Sequence, residues 1–412
     1  MAAVTISGRE RSSASWRRVA VAMFAVGWGA NQFSPLLNAY RHDLSLSAAV
    51  LAGIFGIYAA TLVPGLLIGG PVSDRIGRRP VVLPFVAASP LATLMLMLGP
   101  RSLPVIAAAR ALAGLCSGVV FGSATAWVQE LSGDPAVSAR RSAVALSAGF
   151  AFGPAVASVL AQWAPDPLVL PYLPHLVIGL LAVLLLWPAP ETAGHAARLG
   201  ESPGDRRVWP PRAVRTARFW LAIAPAAPWV FGAASLAFVV LPQEVTSAGR
   251  LSVGFAGLIT TITVASGIAV QPLARRLEAR RRLAGEAAGL ACATAGTAAA
   301  IAVVATSSRA GAAGVAVALG LAYGMCLVSG LRECERLAGR GEHGAVVACF
   351  YALTYLGFGA PYLVDGLNGL VGRAGTFTAL AIVAAVSGVW TARYAWRVHG
   401  RAAQAVRILS SR

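Results

Sequence analysis

Apolar runs of about 20 residues, each long enough to cross the hydrocarbon of a bilayer as an α-helix, alternate along this chain with short polar intervals that carry nearly all of its arginines. Twelve runs can be marked, at 18–39, 47–70, 80–99, 104–128, 142–163, 170–188, 219–241, 252–273, 284–305, 311–331, 344–364 and 375–396. A backbone in lipid must satisfy its polar groups within the segment, so such runs predict helices. The longest polar interval, 189–217, contains Pro190, Pro203, Pro210 and Pro211, and six arginines from Arg198 to Arg218 lie in or beside it. It parts the runs six and six. The fold class expected is an all-α polytopic membrane protein with a six-helix bundle over 1–188, a linker over 189–217, a second bundle over 218–398 and a tail over 399–412.

The two halves echo each other. Gln271-Pro272-Leu273-Ala274-Arg275-Arg276-Leu277 stands 201 residues after Gly70-Pro71-Val72-Ser73-Asp74-Arg75-Ile76, again between the second and third runs of its half. Ala360-Pro361 likewise echoes Gly153-Pro154. An internal repeat of six helices is the pattern of two-bundle transporters.

Composition agrees with the pattern: 57% of the 412 residues are hydrophobic and 12% charged, with a mean hydropathy of +0.69. The net charge of +18 would suit nucleic acid if the basic residues clustered without regard to the runs. They do not. All 34 are arginine; with both termini inside, 28 fall on the cytoplasmic side, five (Arg41, Arg101, Arg250, Arg309, Arg373) on the other, and Arg110 inside the fourth run. That asymmetry is the positive-inside signal of topology, and nucleic acid needs no place in the account. The first apolar run follows Arg17 and Arg18 and is long enough to remain as a helix, so no cleavable leader is expected. Five cysteines lie in or beside apolar runs and none forms a CxxC pair, so no metal site is expected.

Candidate chemistry concentrates in a few places. The interval Gly70-Pro-Val-Ser-Asp74-Arg75-Ile-Gly77-Arg78-Arg79 packs one carboxylate and three guanidiniums into a turn; Gly70 would let the second helix approach a neighbour, and Gly77 would make the turn. Arg110 is an intramembrane charge costing about 2.5–3.5 kcal/mol, so it faces a cavity or partner, or snorkels to the outer interface. Gly114, Gly118 and Gly122 follow it as a stripe suited to close helix packing. The fifth run carries Gly149-Phe-Ala-Phe-Gly153-Pro154, a small-residue face ending in a bend. Asn31 and Gln32 form a polar pair deep in the first run and need hydrogen-bond partners. Glu130 with Arg140 and Arg141, and Glu333 with Arg336 and Arg340, would make a cytoplasmic charge belt or solvated surface pairs.

On the residues Gly70, Asp74, Arg75, Gly77, Arg78 and Arg79 the chain resembles the major facilitator superfamily, whose loop between helices 2 and 3 carries this spacing. Arg110 followed by Gly114 resembles the family's helix 4 motif, Gly149, Gly153 and Pro154 the helix 5 motif of its drug/proton antiporters, and Pro190-Glu191-Thr192 its ending of helix 6. Two later glycines of the helix 5 motif are Ala157 and Ser158 here. The resemblance implies the family fold, twelve transmembrane helices in two pseudo-symmetric bundles. It also implies a latch in which Asp74 and Arg78 hold the halves together when the cavity faces outward. The second copy has Arg275 for Asp74, Gln271 for Gly70 and Glu278 for Gly77, so the latch is expected to be one-sided, with Arg275 and Glu278 mattering less than Asp74.

The family's cavity-lining helices would bring Trp28, Asn31, Gln32, Arg110, Trp229, Phe231 and Tyr323 to a substrate. The function implied is secondary active transport by alternating access, expected as proton-coupled export of an amphipathic compound; the alternative is an importer or uniporter of a small metabolite without proton coupling. No acid stands at mid-membrane: Asp43, Glu244, Asp365 and His175 are placed near the outer face and Glu286 near the inner end of the ninth run. The expected protein is no enzyme, uses no cofactor beyond a proton gradient, and works as a monomer in the lipid bilayer of the bacterial cell membrane.

Overall fold

The computed structural model describes residues 2–132, 134–192, 210–245, 252–338 and 343–410. Most of the expected linker, with Arg198, Arg206 and Arg207, and also Arg250 and Arg340, lies outside the described residues. The described chain is helical, without a strand: α1 (Ala2–Asn31), α2 (Leu37–Asp43), α3 (Ala48–Ile76), α4 (Arg78–Leu98), α5 (Leu103–Ser132), α6 (Pro135–Trp163), α7 (Leu173–Leu186), α8 (Ala217–Ala222), α9 (Ala227–Ser235), α10 (Leu241–Val245), α11 (Ser252–Ala269), α12 (Gln271–Arg280), α13 (Ala284–Thr306), α14 (Arg309–Leu337), α15 (His343–Tyr355) and α16 (Ala360–Ser410).

Against twelve expected spans, the described residues hold nine stretches long and apolar enough to cross a membrane, and a shorter apolar one at Leu170–Leu186. One stretch, Ala345–Arg397, runs through the last two expected spans. Within α16, which covers most of it, Gly372 at φ 72° interrupts the helix between them. The expected span 219–241 is broken into α8, α9, a π-helical turn at Leu236–Val240 and α10. Its prolines explain this: Pro228 starts α9, and Pro242 has no N–H to continue the ladder behind it, which the wider turn accommodates.

The chain packs as two compact units, Met1–Arg206 with Ala248–Thr261, and Arg207–Ser247 with Ile262–Arg412. In the first, a core of Val19, Met23, Val26, Val82, Val86, Val120 and Trp127 joins α1, α4 and α5. Backbones approach where the glycine stripes lie: a Cβ on Gly69 would stand 2.8 Å from Val119 Cα, and Cβ atoms on Gly114 and Gly118 would strike the carbonyls of Tyr58 and Leu62. The expectation for Gly70 is not met, since nothing lies within 4 Å of a Cβ placed there. The face of α3 that meets α5 carries residues 65 and 69, and residue 70 sits about 100° further round. In the second unit, Val270, Ala274 and Met325 form a smaller core. Large apolar side chains such as Leu98, Leu184, Leu370 and Trp396 stand mostly exposed on the outer surface, the surface a membrane-embedded helix offers to lipid.

Candidate functional site

Helix α3 ends at Gly77, whose backbone (φ 116°, ψ 154°) is one that side-chain-bearing residues rarely adopt, and α4 starts at once with Arg78. The first backbone N–H groups of α4 have no partner within the helix. They are met by Glu191: Arg78 N donates to Oε1 and Arg79 N to Oε2, both at 2.9 Å. A Cβ at residue 77 would stand 2.7 Å from Glu191 Oε2, so the glycine admits the carboxylate as well as turning the chain. The Arg78 side chain is nearly buried and donates to Glu130 Oε1 from Nε (3.1 Å) and Nη2 (2.7 Å). Its Nη1 reaches Asp74 and Ser73 Oγ, each at 2.6 Å. Thr192 Oγ1 closes the cluster on Glu130. Thus the Pro-Glu-Thr segment, read in the sequence only as the end of a span, is the cap of α4.

Arg75 is exposed, and Arg79 stacks on the Trp187 ring at 5.8 Å. The expected belt is corrected at Arg140, which is exposed while Glu130 turns to Arg78; Arg141 goes instead to Ser132 Oγ and lies over the Trp16 ring. Arg78 arrives at Glu130 with a guanidinium already oriented by Asp74 and Ser73, which fixes the pairing.

The second unit answers with a different cluster. Glu333, fully buried, receives Arg282 through two nitrogens and Arg336 at 3.5 Å. Glu278, 2% exposed, accepts from Arg336 Nη1 at 3.0 Å and from the N–H groups of Leu283 (3.1 Å) and Gly285 (3.2 Å) at the start of α13. One carboxylate therefore does here what Asp74 and Glu191 share in the first unit: it fixes a guanidinium and holds the next helix's first N–H groups. The expected unimportance of Glu278 does not fit its burial, whereas Arg275 is exposed, as that expectation requires.

Arg110, 1% exposed, does not snorkel; its guanidinium carbon lies 4.6 Å from the Phe33 and Tyr58 ring centroids and 6.0 Å from Phe55. No carboxylate among the described residues pairs with it, and its Nε has no hydrogen-bond partner. Aromatic faces offset part of the cost of a desolvated guanidinium, about 2 kcal/mol in favourable cases, but leave its Nε donor open to an acceptor.

The polar pair at the end of α1 finds partners for both amide nitrogens, while Gln32 Oε1 has none. Asn31 Nδ2 donates to Phe150 O at 3.2 Å and its Oδ1 accepts from Ser34. Gln32 Nε2 donates to Thr93 Oγ1 (3.0 Å), which meets His175 Nδ1 (2.6 Å), and His175 Nε2 meets Ala25 O (3.0 Å). A carbonyl only accepts, so Nε2 carries the proton; in the neutral ring Nδ1 then accepts from Thr93, whose own hydrogen is free because Gln32 donates to it. His175 sits where Gly29 leaves room, since a Cβ there would be 2.5 Å from Nε2. Trp28 lies against Gly149 and Gly153, so the helix 5 motif is a notch for α1. In the second unit Tyr323 stacks on Phe231 at 6.0 Å, and Phe231 on Tyr355 (4.6 Å) and Phe358 (4.8 Å). Trp229 is buried in α9, two residues before Phe231. Near the other acids, Arg373 pairs with Glu244 at 3.0 Å.

These features define a multi-pass membrane protein with buried charge clusters at helix ends and a guanidinium sunk within a bundle. Residues 19–361 match the Major Facilitator Superfamily family model, and the chain belongs to that family. It is 36% identical over 100 residues to the multidrug resistance protein D of Escherichia coli (strain K12), a match covering 24% of this chain and about a quarter of that relative. Its fold is similar to the crystal structure of the nucleoside transporter NupG, with TM-score 0.70 and 13% identity over 92% of this chain and 98% of that one. The crystal structure of a NupG point mutant gives TM-score 0.72 over 92% and 99%, again at 13% identity.

Proposed function

We propose that this transporter exports an amphipathic compound across the bacterial cell membrane by alternating access, driven by protons moving inward, as a monomer with both termini in the cytoplasm. The observation that carries the reading is the Arg110 site: a buried guanidinium, walled by Phe33, Phe55 and Tyr58, with its Nε donor left unused. Such a site suits a molecule with an apolar ring system and a hydrogen-bond acceptor or anionic group, because the rings stack and the acceptor satisfies the donor. Two features support export: the Gly149, Gly153, Pro154 motif, and the partial similarity to a multidrug resistance protein. Asp74 with Arg78 serves as the conformational latch, Trp28, Asn31, Gln32, Trp229 and Tyr323 as further substrate contacts. Uptake or facilitated diffusion of a metabolite without proton coupling is favoured by one observation, the lack of an acid in the first span.

The test is a panel of amphipathic anions, neutral drugs and nucleosides, read as ligand-induced thermal shifts of purified protein and repeated as flux in vesicles with and without a pH gradient. A compound that shifts the wild type, fails to shift Arg110→Ala, and accumulates only under the gradient establishes the reading. Accumulation unaffected by the gradient moves the assignment to the uncoupled transporter, and an unchanged shift in Arg110→Ala removes the residue from the site.

A further inference from the structure

Glu286 lies in the first turn of α13 and is 1% exposed, yet neither carboxylate oxygen has a hydrogen-bond partner. Nothing in the latch or the Arg110 site uses it. Every element around it brings polar groups. From α12 comes Glu278, from the following turn Arg282, and from α14 Cys326, Glu333, Cys334 and Arg336. Cys292 on α13 itself lies near Cys326. Thr391 of α16 faces Glu286 with its hydroxyl outside hydrogen-bonding geometry, while Arg393, two residues on, is exposed. Helix α14 seals the region: a Cβ on Gly289 would stand 2.7 Å from Cys326 Sγ, and one on Gly285 would strike Ser329 Oγ, another buried oxygen without a partner.

Charge counting then decides what Glu286 binds. Three buried carboxylates, Glu278, Glu286 and Glu333, share two guanidiniums. Arg282 and Arg336 are committed to Glu333 and Glu278, and the first N–H groups of α13 are committed to Glu278. A third anion without donors, beside two others, is strongly disfavoured; one proton removes the excess. The described residues hold no group of His, Cys, Asp and Glu able to chelate a metal there, so the ligand that fits is a proton. The site is not locked in the neutral form, because a carboxylate in a helix's first turn is favoured by the helix dipole.

We propose that Glu286 is a proton-binding carboxyl of the second unit, and that its deprotonation competes for Arg282 and Arg336. The step is simple ionisation, with the carboxyl O–H bond broken and the proton passed to water. The anion draws a guanidinium from Glu333 or Glu278, which loosens the α12–α13 turn that Glu278 holds. This inference rests on the proton-coupled reading above, and supplies the acid that the first span lacks.

The proton is the probe, so the test needs no substrate. Infrared difference spectra of the purified protein, titrated across the pH range in which it stays folded, should show a protonated-carboxyl band that disappears as pH rises and is absent in Glu286→Gln. Potentiometric titration should show one proton fewer taken up per chain by that variant. Glu278→Gln and Glu333→Gln each remove one carboxylate from the excess and free a guanidinium for Glu286, so in both the band should disappear at lower pH than in the wild type. A band retained in Glu286→Gln, or a wild-type carboxyl that never titrates, overturns the proposal. If Glu286→Gln does not fold, Glu286→Asp is titrated, and an unmoved midpoint overturns it likewise. Failure of the coupling reading is separate: it appears as wild-type flux indifferent to a pH gradient while the Glu286 band still titrates.

Discussion

Replacing Gly77 by alanine should destabilise the first unit by about 2–4 kcal/mol, and the two halves of that figure come from different physics. A backbone at φ 116° and ψ 154° costs a side-chain-bearing residue about 1–3 kcal/mol. The new Cβ, 2.7 Å from Glu191 Oε2, also pushes away the carboxylate that accepts from Arg78 N and Arg79 N, and losing such a cap costs about 0.5–2 kcal/mol. Gly70 is the internal control. It lies seven residues earlier in the same motif, inside α3, with nothing within 4 Å of its added Cβ, so Gly70→Ala should cost nothing or gain up to about 1 kcal/mol from helix propensity. Unfolding of both variants in mixed micelles, followed by circular dichroism, measures the difference. A double-mutant cycle with Glu191→Gln should be less than additive, because both changes remove the same cap. Equal stability of the two glycine variants, or strict additivity with Glu191→Gln, would refute the capping argument.

Further predictions follow from the charge clusters. Asp74→Asn should abolish transport in reconstituted vesicles while leaving folded protein in the membrane, since Arg78 keeps Glu130 and Ser73; full activity would remove Asp74 from the latch. Glu278→Gln should lower stability by about 1.5–3 kcal/mol, the scale for hydrogen bonds to a buried charged acceptor, while Arg275→Ala, at an exposed position, should change it by less than about 0.5 kcal/mol. Thermal unfolding of the two variants checks this ordering, and equal losses would contradict it.

Periodicity and arginine placement made the helical membrane fold legible, because both are properties of the chain alone: run length answers to bilayer thickness, and loop charge to topology. Glu130 and Glu333 were found for a related reason, since a carboxylate at the end of an apolar run must find a cation. Arg336 was foreseen for Glu333 and lies 3.5 Å from it, but Arg78 and Arg282 were not foreseen. Arg78 and Glu130 are 52 residues apart, as are Arg282 and Glu333 within one, and only the packing of helices brings them together. Glu191 was read as the end of a span because capping from 113 residues away leaves no local signature.

The repeat itself explains why the second unit was misjudged. Aligning Gln271 with Gly70 puts Arg275 at Asp74 and Glu278 at Gly77, and a residue-by-residue comparison then scores the chemistry as lost. The physical requirements are instead a fixed guanidinium and an acceptor for the orphan N–H groups of the next helix. The first unit meets them with two carboxylates and a glycine that makes room; the second meets them with Glu278 alone, on the helix end itself, and with Leu283 at φ 62° making the turn. Placing the acceptor on α12 leaves no counterpart of Glu191 to arrive from elsewhere. Glu286, one turn into the next helix, is then an acid without a structural task, and this is the reason to assign it one in proton binding.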